Sequence, residues 1–357
     1  MRKTALITGV TGQDGAYLTQ LLLEKNYNVY GTIRGTSARN FWRLSELGLL
    51  QHERFKFVDF DVTDFESAIS MIDKYEPDEI YNFAAQSVVG RSFDQPLVTA
   101  QATGLGVVNL LESIRLCNEK IKFYQASSSE MFGKAQAVPQ NEQTPFYPQS
   151  PYAIAKLYAH WMVVNYRKTY GVFGASGILF NHESPLRGEE FVTRKITKSV
   201  AQIKFGLQDK LQLGNVNAER DWGFAGDYVV GMWEMLQLKT PETFVLATNR
   251  TKSVRDFTTM AFKSAGVDIE WSGKGVEETA VNTATGKIVV DINPVFYRPI
   301  EAESLIGDAS YAKKMLGWEA KVELEELCEM MVQADLKRVQ SECFTDIIGV
   351  RKFRGFT

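Results

Sequence analysis

The chain has 357 residues, of which 45% are hydrophobic and 23% charged, and its net charge is −3 at pH 7. These values are typical of a globular protein with room for one large domain or two smaller ones. A slightly acidic chain without a basic stripe is not expected to bind nucleic acid.

Cysteine and histidine positions limit the chemistry further. The three cysteines and three histidines are widely spaced, which predicts neither a disulfide framework nor a metal centre and favours the reducing, cytoplasmic compartment. Residue 3 already begins an apolar strand pattern, and no apolar run reaches about 18 residues. We therefore expect neither a signal peptide nor a membrane span.

The first predicted elements are a strand, a glycine loop and a helix. Residues 3–8 form a short apolar run, Gly9, Gly12 and Gly15 follow, and residues 16–25 have helical periodicity. Such glycines let backbone amides approach a pyrophosphate at the helix N-terminus. The alternative is an ordinary turn, but the position between strand and helix favours a dinucleotide site. The loop residues assigned to it are Gly9, Thr11, Gly12, Gln13, Asp14 and Gly15.

The second predicted strand, residues 28–33, ends at Arg34. In NAD-binding proteins an acidic residue about 20 positions past the loop binds the ribose 2′-hydroxyl. Here Arg34 takes that position, with no acid before Glu46, which favours the 2′-phosphate of NADP. The alternative is a solvated arginine at a strand end. Residues 35–43 are basic and aromatic, and we expect an arm that contacts the cofactor or another subunit.

The following elements alternate in the same way, which indicates an α/β fold with a parallel, doubly wound sheet of the Rossmann type. Strands are predicted at 55–60, 79–83 and 121–124, and a helix at 98–116. A second helix is predicted to begin at Thr63, which forms a capping box with Glu66. Ligands bind beyond the carboxyl ends of such strands. The residues there assigned to the cofactor are Asp61, Val62, Ala84, Ala85, Gln86 and Ser87.

Four side chains beyond the strand at 121–124 can perform acid–base chemistry. Tyr152 and Lys156 lie four residues apart in a predicted helix, so they share one face. The lysine ammonium favours the phenolate and lowers the tyrosine pKa from its free value of about 10. The pair can then take a proton from an alcohol that Ser128 orients, and Glu130 can act as a second acid–base group. Because Tyr-x-x-x-Lys also occurs in ordinary amphipathic helices, this interpretation depends on the cofactor site.

The regular alternation ends after a predicted strand at 173–180. Beyond it, Arg187, Arg220 and Arg298 can bind diphosphate oxygens through bidentate hydrogen bonds, and Lys195 can reach a phosphate. The alternative is that each is a surface ion-pair residue. The expected divisions are a cofactor domain at 1–180, a smaller mixed α/β substrate lobe at 181–340 with segments returning to the first domain, and a tail of unknown role at 341–357.

Seven segments resemble, in order, the GDP-mannose 4,6-dehydratase family of the extended short-chain dehydrogenase/reductase class. They are GVTGQDG, NFAAQS, QASSSEMFG, SPYAIAK, NHESPLRG, RDWGFAGDYV and YRP, and the similarity spans residues 3 to 340 or so. The resemblance implies a tightly held NADP, GDP-D-mannose as substrate, and a homotetramer. It implies GDP-4-dehydro-6-deoxy-D-mannose as product, a step of deoxysugar biosynthesis.

The resemblance also implies residue roles. The catalytic set is Ser128, Glu130, Tyr152 and Lys156, with Ser128 in place of the family's usual threonine. Gly35 departs from the arginine or serine that often follows Arg34 in the family. His182 and Arg187 are added to the cofactor site. The implied substrate contacts are Ser87, Ser128, Glu130, Asn181, Glu183, Val192, Lys195, Gly214, Arg220 and Arg298.

The implied reaction is an internal hydride transfer from C4 to C6 of the sugar with loss of water, the chemistry of a hydro-lyase. Alternatives are another nucleotide-sugar 4,6-dehydratase, or an epimerase or 4-keto reductase of the same class. An epimerase or reductase would not need a carboxylate two residues after the hydroxyl, so Glu130 is the discriminating residue. A catalytically silent NADP-binding redox sensor is the alternative outside enzymes.

Overall fold

Short strands and helices alternate along the chain, and the computed structural model describes residues 2–35, 40–296 and 305–347. The strands there are β1 (Thr4–Thr8), β2 (Asn28–Ile33), β3 (Phe55–Asp59), β4 (Glu79–Asn82), β5 (Lys122–Ser128), β6 (Gly174–Leu179), β7 (Asn181–Glu183), β8 (Leu211–Leu213), β9 (Glu219–Arg220), β10 (Trp222–Phe224), β11 (Thr243–Leu246), β12 (Lys252–Ser253), β13 (Ile269–Ser272), β14 (Thr279–Asn282) and β15 (Ile288–Ile292). The α-helices are α1 (Gln13–Glu24), α2 (Trp42–Glu46), α3 (Phe65–Tyr75), α4 (Val89–Asp94), α5 (Pro96–Thr99), α6 (Gly106–Cys117), α7 (Pro151–Tyr170), α8 (Val192–Lys204), α9 (Ala225–Gln237), α10 (Val254–Ser264), α11 (Ser310–Leu316) and α12 (Leu324–Ile347).

The chain forms two compact units. The first contains residues 2–35, 40–182, 221–251 and 305–321, and the second contains residues 183–220, 252–296 and 322–347.

The first unit is built on a seven-stranded sheet in the order β11-β6-β5-β4-β1-β2-β3. All neighbouring strands run parallel. The chain moves outward from β1 to β3 on one side and then from β4 to β11 on the other, so the winding changes direction between β1 and β4. Strands β4 and β6 are buried along their whole length, as expected for strands covered on both faces. The prediction of a Rossmann-type, doubly wound sheet is confirmed.

Two local predictions at the strand ends are wrong. Helix α3 is capped by Asp64, whose side chain accepts a hydrogen bond from Ser67 N, and not by Thr63. The Thr63 hydroxyl is already engaged, since it donates to Asp61 Oδ1 at 2.8 Å. Strand β5 continues to Ser128 and does not end at residue 124. Its polar residues can remain in the sheet because Gln125 hydrogen-bonds to Asn82 of β4 and Ser127 to Ser176 of β6.

The predicted helix at 98–116 lies within a continuous helical stretch, Pro96–Cys117. It consists of α5, a π-helical segment at Ala100–Leu105 and α6. Its small residues permit close packing, since a Cβ on Gly106 would lie 2.8 Å from the Val62 side chain. By length and composition this stretch is apolar enough to cross a membrane, although 56% of its most apolar 18-residue portion is buried inside the protein, as in the core helix of a folded domain. The absence of a membrane span stays a prediction.

The second unit contains a four-stranded sheet in the order β13-β14-β15-β8, together with α8, α10 and α12. Three of these strands, β13, β14 and β15, follow α10 and pair antiparallel in chain order. Asn282 N donates to Lys287 O and Gly286 has a φ of +70°, so residues 282–287 close a hairpin between β14 and β15. The alternation within these short strands is weak, which is why the periodicity does not reveal them.

Candidate active site

The glycine loop is closely packed at the carboxyl end of β1. Gly9 has a φ of +68°, and a Cβ there would lie 3.0 Å from the backbone of Phe83 at the end of β4. A Cβ on Gly15 would lie 2.6 Å from Val10 Cα and 2.7 Å from Gly9 O. Gly12 is the N-cap residue of α1 and has no side chain to occupy the helix N-terminus. The N-terminus of α1 therefore has no capping side chain, which is what an anion-binding helix terminus requires.

Two side-chain hydrogen bonds connect this loop to distant segments. Arg43 Nη1 donates to Thr11 O at 3.0 Å, and Gln13 Nε2 donates to His182 O at 3.0 Å. Arg43 belongs to the predicted arm, but its link to the loop could not be read from the sequence because the two segments are 32 residues apart. Residues 36–39 of the arm lie outside the described residues.

Asp14 and His182 form a pair beside the loop. His182 Nε2 lies 2.9 Å from Asp14 Oδ2, and Nδ1 lies 2.8 Å from Phe180 O. Because a carbonyl oxygen only accepts, Nδ1 donates to Phe180 O, and Nε2 faces the carboxylate. The imidazole ring also stacks on Tyr228 with centroids 4.7 Å apart. Both predicted cofactor residues are thus joined in one fixed arrangement.

The ends of β2 and β3 form the predicted ribose end of the cofactor site. Arg34 is exposed and comes directly after β2. Register pairs Ile33 with Asp59, and Asp59 Oδ1 accepts a hydrogen bond from Gly35 N at 2.8 Å. Sequence reasoning missed this acid because it comes from the neighbouring strand. Asp61 accepts hydrogen bonds from Thr63, so it shapes the loop that follows β3.

The remaining predicted cofactor residues follow β3 and β4. The Val62 side chain is buried in the core, while its carbonyl accepts a hydrogen bond from Asn109. Ala84 N donates to Thr8 Oγ1, and Gln86 N donates to Thr103 Oγ1, each at 3.1 Å. Ala84 and Ala85 are half-buried, as is Gln86, and Ser87 is exposed. Hydrogen bonds from its backbone amides to two threonine side chains therefore hold this segment in place.

The predicted hydroxyl and carboxylate are placed at the end of β5. Ser128 is the last residue of the strand, and its Oγ accepts a hydrogen bond from Glu130 N at 3.2 Å. Glu130 lies in the short 3₁₀ turn Ser129–Met131 and is half-buried, whereas Ser129 and Met131 are buried on either side of it. The local turn thus holds a carboxylate two residues beyond the hydroxyl.

The tyrosine and lysine lie near the start of α7, which Ser150 caps by accepting a hydrogen bond from Ala153 N. Tyr152 and Lys156 are both buried, and Lys156 Nζ lies 5.8 Å from the centroid of the Tyr152 ring. Lys156 Nζ also donates to Ala126 O at 2.7 Å, which ties the helix to β5. Burial lowers the pKa of Lys156 to about 8, and the negative charge of Asp14 opposes that shift.

The predicted substrate residues of the second unit form two groups. In the first, Arg187 Nε lies 3.0 Å from Glu183 Oε2 and its guanidinium lies 3.5 Å from the Phe191 ring. In the second, Lys195 Nζ lies 4.1 Å from the Phe296 ring, and the Phe296 carbonyl lies directly against Gly214. Phe296 was not predicted, although it directly precedes the YRP segment.

The other predicted substrate residues are distributed as follows. Asn181 is half-buried at the start of β7, and Val192 is exposed at the start of α8. Arg220 lies in β9, and its Nη1 donates to Glu219 O. Arg298 lies outside the described residues. Within residues 2–35, 40–296 and 305–347, no group of three or more His, Cys, Asp and Glu side chains is arranged to hold a metal ion.

Comparison with known proteins identifies the family. The family model described as GDP-mannose 4,6 dehydratase matches residues 6–331. A GDP-mannose 4,6-dehydratase of Sinorhizobium fredii is 51% identical over 340 residues, which cover 94% of this chain and 97% of that protein. GDP-mannose 4,6 dehydratase 2 of Caenorhabditis elegans is 49% identical over 348 residues, covering 96% and 91%.

Solved structures agree with the fold. A dTDP-glucose 4,6-dehydratase from Bacillus anthracis, solved in complex with NAD, superposes with a TM-score of 0.78 at 21% identity, covering 95% of this chain and 98% of that one. The fold, the acid–base residues of the first unit and the near-complete match of the family model agree with one another. The chain therefore belongs to the GDP-mannose 4,6-dehydratase family.

Proposed function

We propose that this protein converts GDP-D-mannose to GDP-4-dehydro-6-deoxy-D-mannose and water. The observation that carries the proposal is the half-buried carboxylate of Glu130, held two residues beyond the Ser128 hydroxyl at the strand end to which Lys156 is also bonded. Oxidation of a sugar alcohol needs a hydroxyl, a tyrosine and a lysine. Elimination of water needs a further acid–base group, and Glu130 is suited to that role.

The residues of the first unit fit a bound dinucleotide. Side chains at Gly9 or Gly15 would collide with neighbouring backbone, so glycines are needed for the tight course of the loop, and Gly12 leaves the N-terminus of α1 without a capping side chain, as an anion site needs. Arg34 is suited to a 2′-phosphate, so we assign NADP as the cofactor. When bound, the nicotinamide accepts the hydride from C4 of the sugar and later returns it at C6.

The first step is oxidation at C4. Tyr152 takes the proton of the C4 hydroxyl, while the Ser128 hydroxyl orients that oxygen. Lys156 favours the phenolate because its ammonium group lies over the Tyr152 ring. The hydrogen bond from Lys156 Nζ to Ala126 O keeps the ammonium group near the carboxyl end of β5.

The second step is elimination. A ketone at C4 acidifies the hydrogen at C5, and Glu130 removes that proton. Protonated Glu130 then gives its proton to the leaving C6 hydroxyl, which departs as water. C5 then takes a proton from solvent, and Tyr152 releases to solvent the proton of the C4 hydroxyl, so that water is the only group lost. No net oxidation occurs, so the cofactor stays bound through each turnover.

The family resemblance assigns cationic residues of the second unit to the nucleotide part of the substrate. Arg187 and Lys195 are partly buried and held by Glu183 and Phe296, respectively. Arginine and lysine at such positions bind diphosphate oxygens with charge-assisted hydrogen bonds. We assign Arg220 and Arg298 to the same task on the basis of the family resemblance.

The function is tested by supplying a panel of nucleotide sugars and following product masses. We expect loss of one water from GDP-mannose without consumption of added cofactor. An isomer of unchanged mass would instead support an epimerase, and a product that forms only with added NADPH would support a reductase.

The cofactor assignment gives a separate prediction. Replacing Arg34 with Asp is expected to weaken NADP binding far more than NAD binding, because a charge-assisted hydrogen bond contributes about 1.5–3 kcal/mol and is replaced by repulsion. Dissociation constants for both cofactors measure the effect. Lys56→Asp makes the same charge change at an exposed position of β3 and serves as the control. Equal affinity of the unmutated protein for NAD and NADP would contradict the assignment.

We propose a homotetramer, as the family resemblance implies, and the described surface carries apolar side chains suited to subunit contacts. Helix α7 and the neighbouring stretch Pro96–Cys117 expose apolar side chains next to each other, among them Ile154, Trp161 and Leu105, each more than half exposed. A contiguous apolar patch of this kind is typical of a subunit interface. We propose that copies of the chain bury it and that the arm at 35–43 reaches a neighbouring subunit.

Assembly is tested with Ile154→Glu. Assembly would bury this side chain, so a charge there is expected to weaken subunit association. The particle mass measured by light scattering should then fall. Leu207→Glu changes an equally exposed leucine in the second unit and should leave the mass unchanged. A tetramer that survives Ile154→Glu, or an unmutated protein that is monomeric, would contradict the proposal.

A further inference from the structure

A buried polar cluster lies one helical turn beyond Lys156, on elements that the proposed reaction uses. Ser176 Oγ lies 2.8 Å from His160 Nδ1 and 2.9 Å from Ser127 Oγ, and Ser127 Oγ lies 3.3 Å from His160 Nδ1. All three residues are at most 3% exposed. They belong to α7, β5 and β6, so the cluster joins one helix to two strands of the sheet.

The cluster lies beside the catalytic residues in sequence and in space. His160 follows Lys156 by four residues, so both project from the same face of α7. Lys156 Nζ bonds to Ala126 O, and the His160 ring contacts the next residue, Ser127. The residue after that is Ser128, whose hydroxyl is assigned to the substrate. Two adjacent links therefore fix the last residues of β5 against the helix that carries Tyr152.

The imidazole does not act as a charged group. Burial, and to a smaller extent the positive charge of Arg167, lower the pKa of His160 to about 4. The ring is also enclosed edge-on by Phe146 and Trp161. His160 is therefore neutral across the physiological range, and its contribution is the geometry of its hydrogen bonds. A buried and inaccessible ring cannot reach the substrate, which excludes a direct acid–base role.

We propose that His160 is a positioning residue for the dehydratase reaction, holding the β5 end with Ser128 and Glu130 in register with Tyr152 and Lys156 on α7. The inference rests on the proposed function. A shift of about 1 Å between reacting groups can lower a rate by about 10²-fold. Because Ser128 and Glu130 share the same strand end, loss of this link slows both the oxidation at C4 and the elimination of water.

The test compares His160→Phe with His160→Asn. Phenylalanine keeps the ring volume but not the nitrogen, and the fold is expected to survive because Ser127 and Ser176 still bond to each other. Asparagine returns a polar atom near the position of Nδ1. Tyr166→Phe is the matched control, since it removes a hydrogen bond from the same helix to Glu112 at a distance from β5.

We expect His160→Phe to lower kcat by roughly 10- to 100-fold in both half-reactions with little change in KM. His160→Asn should restore much of the rate, and Tyr166→Phe should lower Tm without lowering kcat. Normal kcat in His160→Phe, or loss of rate that follows Tm in all three variants, would overturn the inference.

If His160→Phe does not fold, Ser127→Ala removes the hydroxyl through which β5 meets the ring while keeping the ring itself, and a normal kcat in that variant overturns the inference as well. The unmutated protein is measured in parallel. If it releases no water from GDP-mannose, the proposed function itself fails.

Discussion

Replacing Glu130 with Gln is expected to reduce the rate of water loss by about 10²–10⁴-fold, the usual contribution of a general acid–base group. Glutamine keeps the shape of the side chain and the backbone turn with Ser128, but it cannot take the C5 proton. Oxidation at C4 does not use this carboxylate. The absorbance of the reduced nicotinamide should therefore rise after substrate is added and persist, while the product is almost absent.

Glu142→Gln is the matched control, because Glu142 is another partly buried carboxylate of the first unit but binds the backbone amide of Val245. That variant should release water at the normal rate. Normal water loss in Glu130→Gln would show that Glu130 is not the base for elimination. The chain would then resemble an epimerase or a reductase in its chemistry.

Replacing Tyr152 with Phe is expected to stop the reaction one step earlier. Without the phenolate no group takes the C4 proton, so the absorbance of the reduced nicotinamide should not form and turnover should fall by about 10²–10⁴-fold. The Lys156 anchor to Ala126 O does not involve the tyrosine hydroxyl, so the protein should still bind cofactor and substrate. Rapid-mixing spectroscopy and equilibrium binding measure the two effects separately.

Tyr170→Phe changes the last residue of the same helix and should behave as the unmutated protein. Two results would contradict the assignment of Tyr152. One is reduced nicotinamide forming at the normal rate in Tyr152→Phe. The other is loss of cofactor binding in that variant, which would make its effect structural.

The strands, the glycine loop and the catalytic helix could be predicted because each depends on a local pattern. An apolar run followed by glycines fixes β1 and α1, and helical spacing places Tyr152 and Lys156 on one face. Alternation of strands and helices then determines the parallel sheet and the edge at which ligands bind. Ser128 was placed just beyond the strand, although hydrogen bonds from neighbouring strands extend β5 to include it.

Contacts between distant segments could not be predicted. The proximity of Asp59 to Gly35 depends on the register of β2 and β3, and the pairing of Asp14 with His182 joins residues 168 apart. The contacts of Arg43 with the glycine loop and of His160 with Ser127 likewise join segments more than 30 residues apart, and they depend on how the sheet brings those segments together. The helix cap at Asp64 was missed for a different reason. Thr63 and Asp64 are adjacent and both can cap a helix, but the Thr63 hydroxyl already donates to Asp61, which leaves Asp64 to accept from Ser67 N.

The most direct test of internal hydride transfer uses GDP-mannose labelled with deuterium at C4. The unmutated protein is incubated with it in ordinary water, without added cofactor, and the product is examined by mass spectrometry and NMR. The proposed function predicts a product that has lost one water and carries the deuterium at C6. Deuterium retained at C4, or lost to solvent, would contradict it.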